Sequence, residues 1–182
     1  PRKLFTPEAY ANFSHVDINI PIGNSQHMLM PSIEAKMLQA LNIQLNENIL
    51  VVGSGTGYLS SCVSLLGNKV HSIDIDDNLV KISKKNSNQD FLKGNILYEN
   101  LDLIRNLAII KKYNVVILTS SIDDLSLITD HMNNQSRAFI FFGEKIAPVK
   151  TGFLIKKLKT SGLSKEYIAE TDVSHLIVEK ND

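Results

Sequence analysis

The sequence is short of cysteine, of net charge and of long apolar runs, and each absence narrows the possibilities. Its single cysteine, Cys62, cannot form an internal disulfide, which fits a reducing compartment. Lysine plus arginine number 19 and aspartate plus glutamate number 19, so no overall field attracts nucleic acid or an anionic membrane. No apolar run approaches the roughly 20 residues needed to span a bilayer. We expect a soluble, cytoplasmic protein, without nucleic-acid or membrane partners, that is a monomer.

The length bounds the domain organisation. A chain of 182 residues with 43% hydrophobic content is typical of one globular domain with a single core, here residues 1–182. We find no internal repeat, low-complexity tract or convincing linker. The sequence begins at Pro1 rather than at methionine, so we expect an N-terminal segment to be missing from it.

Apolar runs alternate with helical patterns along most of the chain. Runs at residues 49–52, 70–75, 115–118 and 138–142 are typical of strands buried on both faces of a parallel sheet. Helical spacing predicts helices at 58–66, 77–86 and 123–132, an earlier helix at 32–41 after Pro31, and an uninformative, mostly helical stretch at 97–112. Right-handed crossovers then give an α/β fold with a doubly wound, mostly parallel sheet. Residues 153–158 and 166–168, on either side of Thr160-Ser161-Gly162, predict an antiparallel C-terminal hairpin.

A glycine-rich loop is the most informative segment. After the apolar run that ends at Val52 comes Gly53-Ser54-Gly55-Thr56-Gly57, and a helix begins at Tyr58. Alternate glycines let the backbone approach a ligand closely, and the helix N-terminus offers free amides. The pattern is G-x-G-x-G rather than the G-x-G-x-x-G of dinucleotide folds, and no lysine and hydroxyl pair follows as in a P-loop. The loop therefore disfavours NAD and ATP.

An acidic residue ends the next predicted strand. Asp74 follows Ser72-Ile73, and a carboxylate at this point can accept both hydroxyl protons of a ribose. The competing interpretation is a solvated or helix-capping aspartate, but Asp76 and Asp77 are better placed to cap the helix that begins near Asn78. We predict that Asp74 binds ribose.

Two later segments are expected at the same rim of the sheet, where ligands of such folds bind. In one, Asn95 precedes Ile96 and could hydrogen-bond an adenine edge, although a turn residue after Gly94 is an equally good interpretation. In the other, Thr119 follows an apolar run at the mouth of the cleft. The predicted cofactor-binding residues are Gly53, Ser54, Gly55, Gly57, Tyr58, Asp74, Ile75, Asn95, Ile96 and Thr119.

Several motifs together resemble the protein-L-isoaspartate O-methyltransferases, over nearly the whole chain. Residues 2–7 resemble that family's R-x-x-F-V-P opening, and Ile20-Pro21-Ile22-Gly23 with Gln26 and Pro31 resembles its P-I-G-x-G-Q-T-I-S-x-P stretch. Residues 53–58, 72–74 and 137–143 resemble its glycine loop, its S-I-E and its G-R-L-V-x-P-V-G. The resemblance implies a Rossmann-like fold, S-adenosylmethionine as cofactor, no metal, and isoaspartyl residues of damaged proteins or peptides as substrate.

The departures from the family pattern concern catalysis. The family's serine falls on Leu29 and its threonine on His27, and the acidic residues usual at three further positions fall on Val51, Asn95 and Asn114. The loop His27-Met28-Leu29-Met30-Pro31 resembles instead a divergent bacterial subgroup of isoaspartate-methyltransferase-like proteins. Carboxylate methylation needs no general base, so we assign His27 a structural or loop-packing role and leave the catalytic residues open among His27, Met28 and Leu29.

Three functions follow from this comparison. The first is methylation of isoaspartyl carboxylates for protein repair, which we expect to be weak or undetectable because Leu29 supplies no hydroxyl. The second is a relative that binds S-adenosylmethionine but has lost that activity or methylates another acceptor. A small-molecule or nucleic-acid methyltransferase is disfavoured by the balanced charge and by the absence of an N/D-P-P-Y motif.

Overall fold

The computed structural model describes residues 1–89, 92, 94–160 and 162–178. Lys93 and Ser161, which belong to two of the predicted turns, lie outside the described residues. The strands, in chain order, are β1 (Ile20–Gly23), β2 (Gln26–Met28), β3 (Asn48–Val52), β4 (Lys69–Asp74), β5 (Ile96–Asn100), β6 (Val115–Ile122), β7 (Arg137–Phe142), β8 (Val149–Lys157) and β9 (Leu163–Asp172). The α-helices are α1 (Pro31–Leu41), α2 (Tyr58–Leu66), α3 (Asp77–Asn86) and α4 (Ser126–Thr129), and 3-10 helices span Arg2–Phe5, Glu8–Phe13 and Ile104–Lys112.

A seven-stranded sheet in the order β5-β4-β3-β6-β7-β8-β9 forms the centre of the fold. The strands from β3 to β7 pair in parallel, whereas β8 and β9 are antiparallel to their neighbours. This arrangement confirms the predicted doubly wound sheet with an antiparallel C-terminal hairpin. Strands β1 and β2 form a separate antiparallel hairpin ahead of α1.

The core lies on both faces of the sheet, as the uninterrupted apolar runs predict. In β3, Ile49 and Val51 pack with α1 and α2, whereas Leu50 and Val52 pack with the 3-10 helix 104–112 and with α4. All four side chains are buried, because successive residues of a strand point to opposite faces and both faces are covered. Among the described helices, none combines the length and the apolar content that a membrane crossing requires.

Three predicted elements differ from the structure. Residues 96–100 form β5 rather than a helix; this is an edge strand in which only Tyr98 is fully buried, so the sequence lacks an apolar run. Strand β6 continues to Ile122 through an irregularity in its pairing with β7. The predicted helix at 123–132 is reduced to α4, because the chain after Thr129 turns through i to i−3 hydrogen bonds.

Candidate functional site

The main cleft lies where the winding of the sheet reverses. The chain runs from β3 through β4 to β5 on one side and then returns to β6 on the other side of β3. Ligands of doubly wound folds bind outside the carboxyl ends of the strands at such a point. A cavity of about 330 Å³ is found there; we name it the larger cavity because a smaller one adjoins it. It is lined by residues 22, 24, 26, 27, 52, 53, 55, 73–76, 79, 101–103, 119, 120 and 175–177.

The glycine loop forms the floor of this cavity. Gly53 has a φ of +91°, and a Cβ atom on it would lie 2.0 Å from Thr119 Oγ1 on the adjacent strand. Thr119 Oγ1 in turn donates to the Val52 carbonyl at 3.0 Å. Only glycine can therefore combine this backbone conformation with so close an approach to β6.

Asp74 shapes the loop as well as lining the cavity. Its Oδ2 accepts hydrogen bonds from the Gly55 amide at 3.1 Å and from Ser54 Oγ at 3.2 Å, and its Oδ1 accepts one from the Asp76 amide at 3.1 Å. Burial raises the pKa of Asp74, although these hydrogen bonds oppose the shift. A carboxylate has about four acceptor sites, so room remains for one ligand hydroxyl. The predicted helix cap is found at Asp76, whose Oδ1 accepts from the Asn78 amide.

A further acidic residue of the cavity, Asp102, was missed because β5 was not recognised. Asp102 follows β5 in the loop that reaches the rim, and its side chain is only 7% exposed. Its Oδ1 accepts from the Ile104 amide, whereas its Oδ2 has no hydrogen-bond partner among the described residues. Oδ2 forms an ion pair with Arg105, whose Nε lies 3.7 Å away. A buried acceptor of this kind is suited to an N–H group of a ligand.

A smaller cavity of about 40 Å³ adjoins the larger one. The two share Ile22, His27, Gly53, Gly55 and Thr119, so they meet above the glycine loop. The smaller cavity is also lined by Met28, Leu29, Glu34, Ser54, Thr56, Tyr58 and Leu59.

The loop His27-Met28-Leu29, among which the sequence left the catalytic residues open, borders both cavities. His27 belongs to β2, lines both cavities, and its ring makes no hydrogen bond to a described residue. Met28 packs with Phe5 and Ile20, and the Leu29 side chain belongs to the main core. The Met28 and Leu29 side chains therefore fill space and supply no polar group to the cavity.

The tail after β9 closes the opposite side of the larger cavity. Ser121 in β6 exchanges backbone hydrogen bonds with Ser174 and Leu176, and Ser174 Oγ donates to the Ser25 carbonyl at 2.8 Å. His175, between them, has Nδ1 at 3.3 Å from Ser121 Oγ and Nε2 at 4.0 Å from Asp123 Oδ1. No sequence motif marks this tail, so its position depends on the tertiary fold alone.

Three predicted residues lie elsewhere. Asn95 precedes β5, at the amino end of the sheet, where its side chain donates to the carbonyls of Ser64 and Asn68. Ile96 lines the same distant groove, so the expectation that both lie at the rim of the cleft is wrong. The cause is the unrecognised strand: the carboxyl end of β5 is Asn100, and the rim residues follow it. Gly57 caps α2 and lines neither cavity.

The remaining predicted residues come together. Gly53, Gly55, Asp74, Ile75 and Thr119 line the larger cavity, and Ser54 and Tyr58 line the smaller one. A doubly wound sheet with a glycine loop after its first parallel strand and an acidic residue at the end of the second defines a Rossmann-like protein of the nucleotide-cofactor-binding class.

Comparison with known proteins gives the family. The chain belongs to the protein-L-isoaspartate(D-aspartate) O-methyltransferase family, whose family model matches residues 1–128. It is 31% identical over 121 residues to the protein-L-isoaspartate O-methyltransferase of Methanospirillum hungatei, covering 66% of this chain and 56% of that protein. It is 34% identical over 85 residues to that of Dictyoglomus thermophilum, covering 47% of this chain and 39% of that protein. The chain thus aligns with about half the length of these relatives, or less.

A solved structure shares the fold. A Plasmodium falciparum protein assigned as a protein-L-isoaspartate O-methyltransferase, in complex with S-adenosyl-L-homocysteine, superposes with a TM-score of 0.80 at 18% identity. The match covers 97% of this chain and 85% of that one.

Proposed function

We propose that this protein transfers a methyl group from S-adenosylmethionine to the carboxylate of isoaspartyl residues in damaged proteins or peptides. Membership of the family supports the reaction, and the pair of cavities that meet at the glycine loop supports the cofactor. When bound, S-adenosylmethionine would supply a methyl group on a positively charged sulfur. The balanced charge supports action without nucleic acid or an anionic membrane, and action in the cytoplasm stays a prediction. The monomeric state and the single domain over residues 1–182 stay predictions.

The larger cavity fits the adenosine end of this cofactor. Gly53 allows the backbone to lie against the ligand, and Asp74 has acceptor capacity left for a ribose hydroxyl. The free Oδ2 of Asp102 is an acceptor suited to the amino group of adenine. Asp74, Asp76 and Asp102 all line this cavity, and their negative charge favours a cationic cofactor.

The acceptor carboxylate would enter from the side of the tail and the β1–β2 hairpin. An ionised carboxylate is already a nucleophile, so the protein has to position it and to exclude water rather than remove a proton. Ile22 and Leu176 provide apolar cover there, and Ser120 Oγ is buried without a hydrogen-bond partner among the described residues. Ser120 can therefore donate a hydrogen bond to the acceptor, in place of the hydroxyl that Leu29 lacks.

A methyl-transfer assay tests the proposal. The protein is incubated with methyl-labelled S-adenosylmethionine and either an isoaspartyl peptide or the same peptide with a normal aspartyl residue. We expect label in the isoaspartyl peptide alone, as a base-labile ester. Label in neither peptide, while S-adenosylhomocysteine binds, would remove isoaspartyl methylation and leave a cofactor-binding protein with another acceptor or none.

A further inference from the structure

Glu34 is a buried carboxylate beside the glycine loop that the proposed reaction does not yet use. It lies in the first turn of α1, is 6% exposed, and its Oε2 is paired with Arg2 of the N-terminal 3-10 helix. Arg2 also donates to the Leu29 carbonyl, and its guanidinium lies 4.8 Å from the centre of the Tyr58 ring. Arg2 therefore holds Glu34 in one place.

The ion pair with Arg2 leaves one oxygen of the Glu34 carboxylate free. Among the described residues, Arg2 is the sole hydrogen-bond and ion-pair partner of the Glu34 carboxylate, and it contacts Oε2 only. Oε1 thus remains available as an acceptor. Glu34 is also the sole carboxylate among the residues that line the smaller cavity. Leaving a buried charged acceptor without a partner is costly, so a cationic ligand group at Oε1 would be stabilised.

The sizes of the two cavities indicate which end of the cofactor each cavity can hold. A volume of about 40 Å³ holds roughly three atoms the size of water, since one water needs about 10–15 Å³ on this measure. It is too small for adenosine but admits the ammonium end of an amino acid. In the cofactor, the ribose lies between adenine and the amino-acid end. If the ribose binds Asp74 and adenine lies near Asp102, the amino-acid end extends past Gly53 toward the smaller cavity.

The strand before the glycine loop offers no alternative carboxylate. The position at which the family pattern has an acidic residue is Val51, which is fully buried in the core. At the smaller cavity, the negative charge comes instead from Glu34, which approaches from α1.

We propose that Glu34 binds the α-ammonium group of the amino-acid end of the cofactor, and that Arg2 positions the Glu34 carboxylate for this contact. This inference rests on the proposed function, because it assumes that S-adenosylmethionine occupies the two cavities. It makes Glu34 a cofactor-binding residue and Arg2 a positioning residue.

The test compares two ligands by calorimetry: S-adenosylhomocysteine and its analogue in which hydrogen replaces the α-amino group. We expect the wild-type protein to bind S-adenosylhomocysteine about tenfold more tightly than the analogue, which corresponds to about 1.4 kcal/mol. Glu34→Gln should weaken S-adenosylhomocysteine by about tenfold and change the analogue by less than about twofold. Arg2→Lys should weaken the binding of S-adenosylhomocysteine less than Glu34→Gln does, and it should likewise leave the affinity for the analogue nearly unchanged.

Glu47→Gln is the matched control. Glu47 also forms a partly buried ion pair with an arginine, Arg137, at 2.7 Å, but it precedes β3 at the opposite end of the sheet. We expect Glu47→Gln to leave the affinities for S-adenosylhomocysteine and for the analogue unchanged. Equal wild-type affinities for the two ligands would overturn the inference without any variant, even if Glu34→Gln failed to fold. So would equal weakening of both ligands by Glu34→Gln. If neither ligand bound the wild-type protein, the proposed function would fail and this inference with it.

Discussion

The two cavities on either side of the glycine loop are built in different ways. The larger cavity takes its floor from Gly53 and its main carboxylate from Asp74, both at the carboxyl ends of neighbouring parallel strands. The smaller cavity depends on Arg2, Glu34 and Leu29, which come from the N-terminal segment, α1 and the chain before α1. The floor of the larger cavity thus comes from segments that are close in the strand order, whereas the smaller cavity depends on packing between segments that are distant in the sequence. The following predictions test that division.

The largest effect is expected in the floor. Gly53→Ala places a Cβ atom 2.0 Å from Thr119 Oγ1 at a φ of +91°, so the loop has to move and binding of S-adenosylhomocysteine should weaken by about a hundredfold or more. Gly55→Ala is the matched comparison: at a φ of +52° its Cβ would meet only Ile22 Cδ1 at 3.5 Å, so its loss should be about tenfold or less. Calorimetry gives both affinities, and circular dichroism checks that each variant folds. Equal losses in the two variants would show that the approach to Thr119 does not matter.

Removing the charge of Asp74 should have the next largest effect. Asp74→Asn keeps the shape but gives up acceptor sites for the Gly55 amide and for the ribose, so affinity should fall by roughly 1.5–3 kcal/mol. Asp77→Asn, three residues later on the exposed start of α3, should leave it unchanged. An unchanged affinity in Asp74→Asn, measured by the same calorimetry, would exclude Asp74 from the ribose site.

A smaller effect, on the rate of methyl transfer, is expected from Leu29, which lines the smaller cavity. If a hydroxyl at position 29 orients the substrate, Leu29→Ser should raise the rate of isoaspartyl methylation by about tenfold without a tighter cofactor site. Because Leu29 belongs to the main core, the same change should cost about 2–4 kcal/mol of the free energy of unfolding. The rate is compared with that of Leu29→Ala, which makes a similar cavity without a hydroxyl. If the alanine variant gains as much, space and not the hydroxyl is responsible.

The smallest effect is a pH dependence of cofactor affinity through Glu34. Burial raises the pKa of Glu34 to about 7, with Arg2 opposing the shift. Two neighbouring groups keep their protons across this range, because burial raises the pKa of Tyr58 to about 12 and also raises that of the Cys62 thiol. Since an ammonium ligand needs the ionised carboxylate, affinity for S-adenosylhomocysteine should rise by up to about tenfold from pH 6 to pH 8.

The stability of the free protein should fall as the pH rises, whereas the cofactor affinity should increase. A carboxyl group whose pKa is higher in the folded state, about 7 against 4.5, contributes stability at low pH that is lost as the pH rises through 7. Glu34→Gln should therefore flatten both the rise in affinity and the fall in melting temperature. His27 also lines the smaller cavity, so the analogue without an α-amino group is the control. If the affinity for the analogue rose as steeply with pH, the contact between Glu34 and the α-ammonium group would not be the cause of the rise.

The contrast between the cavities also explains what the sequence could predict. The glycine loop and Asp74 are separated by one crossover, and their positions follow from strand order and local motif alone. The predicted place of Asn95 was wrong because the edge strand β5 buries only Tyr98 fully and carries no apolar run. Asp102 was missed for the same reason. Glu34, Ser120 and His175 have no local signal, since their meeting depends on long-range packing of α1, β6 and the tail.

The central claim is that the cofactor lies across both cavities, with adenosine in the larger and the amino-acid end in the smaller. A crystal structure of the protein with S-adenosylhomocysteine tests it most directly. The account predicts a ribose hydroxyl within hydrogen-bond distance of Asp74 and the α-ammonium group within hydrogen-bond distance of Glu34 Oε1. A ligand bound elsewhere, or bound with its amino-acid end directed away from Glu34, would contradict it.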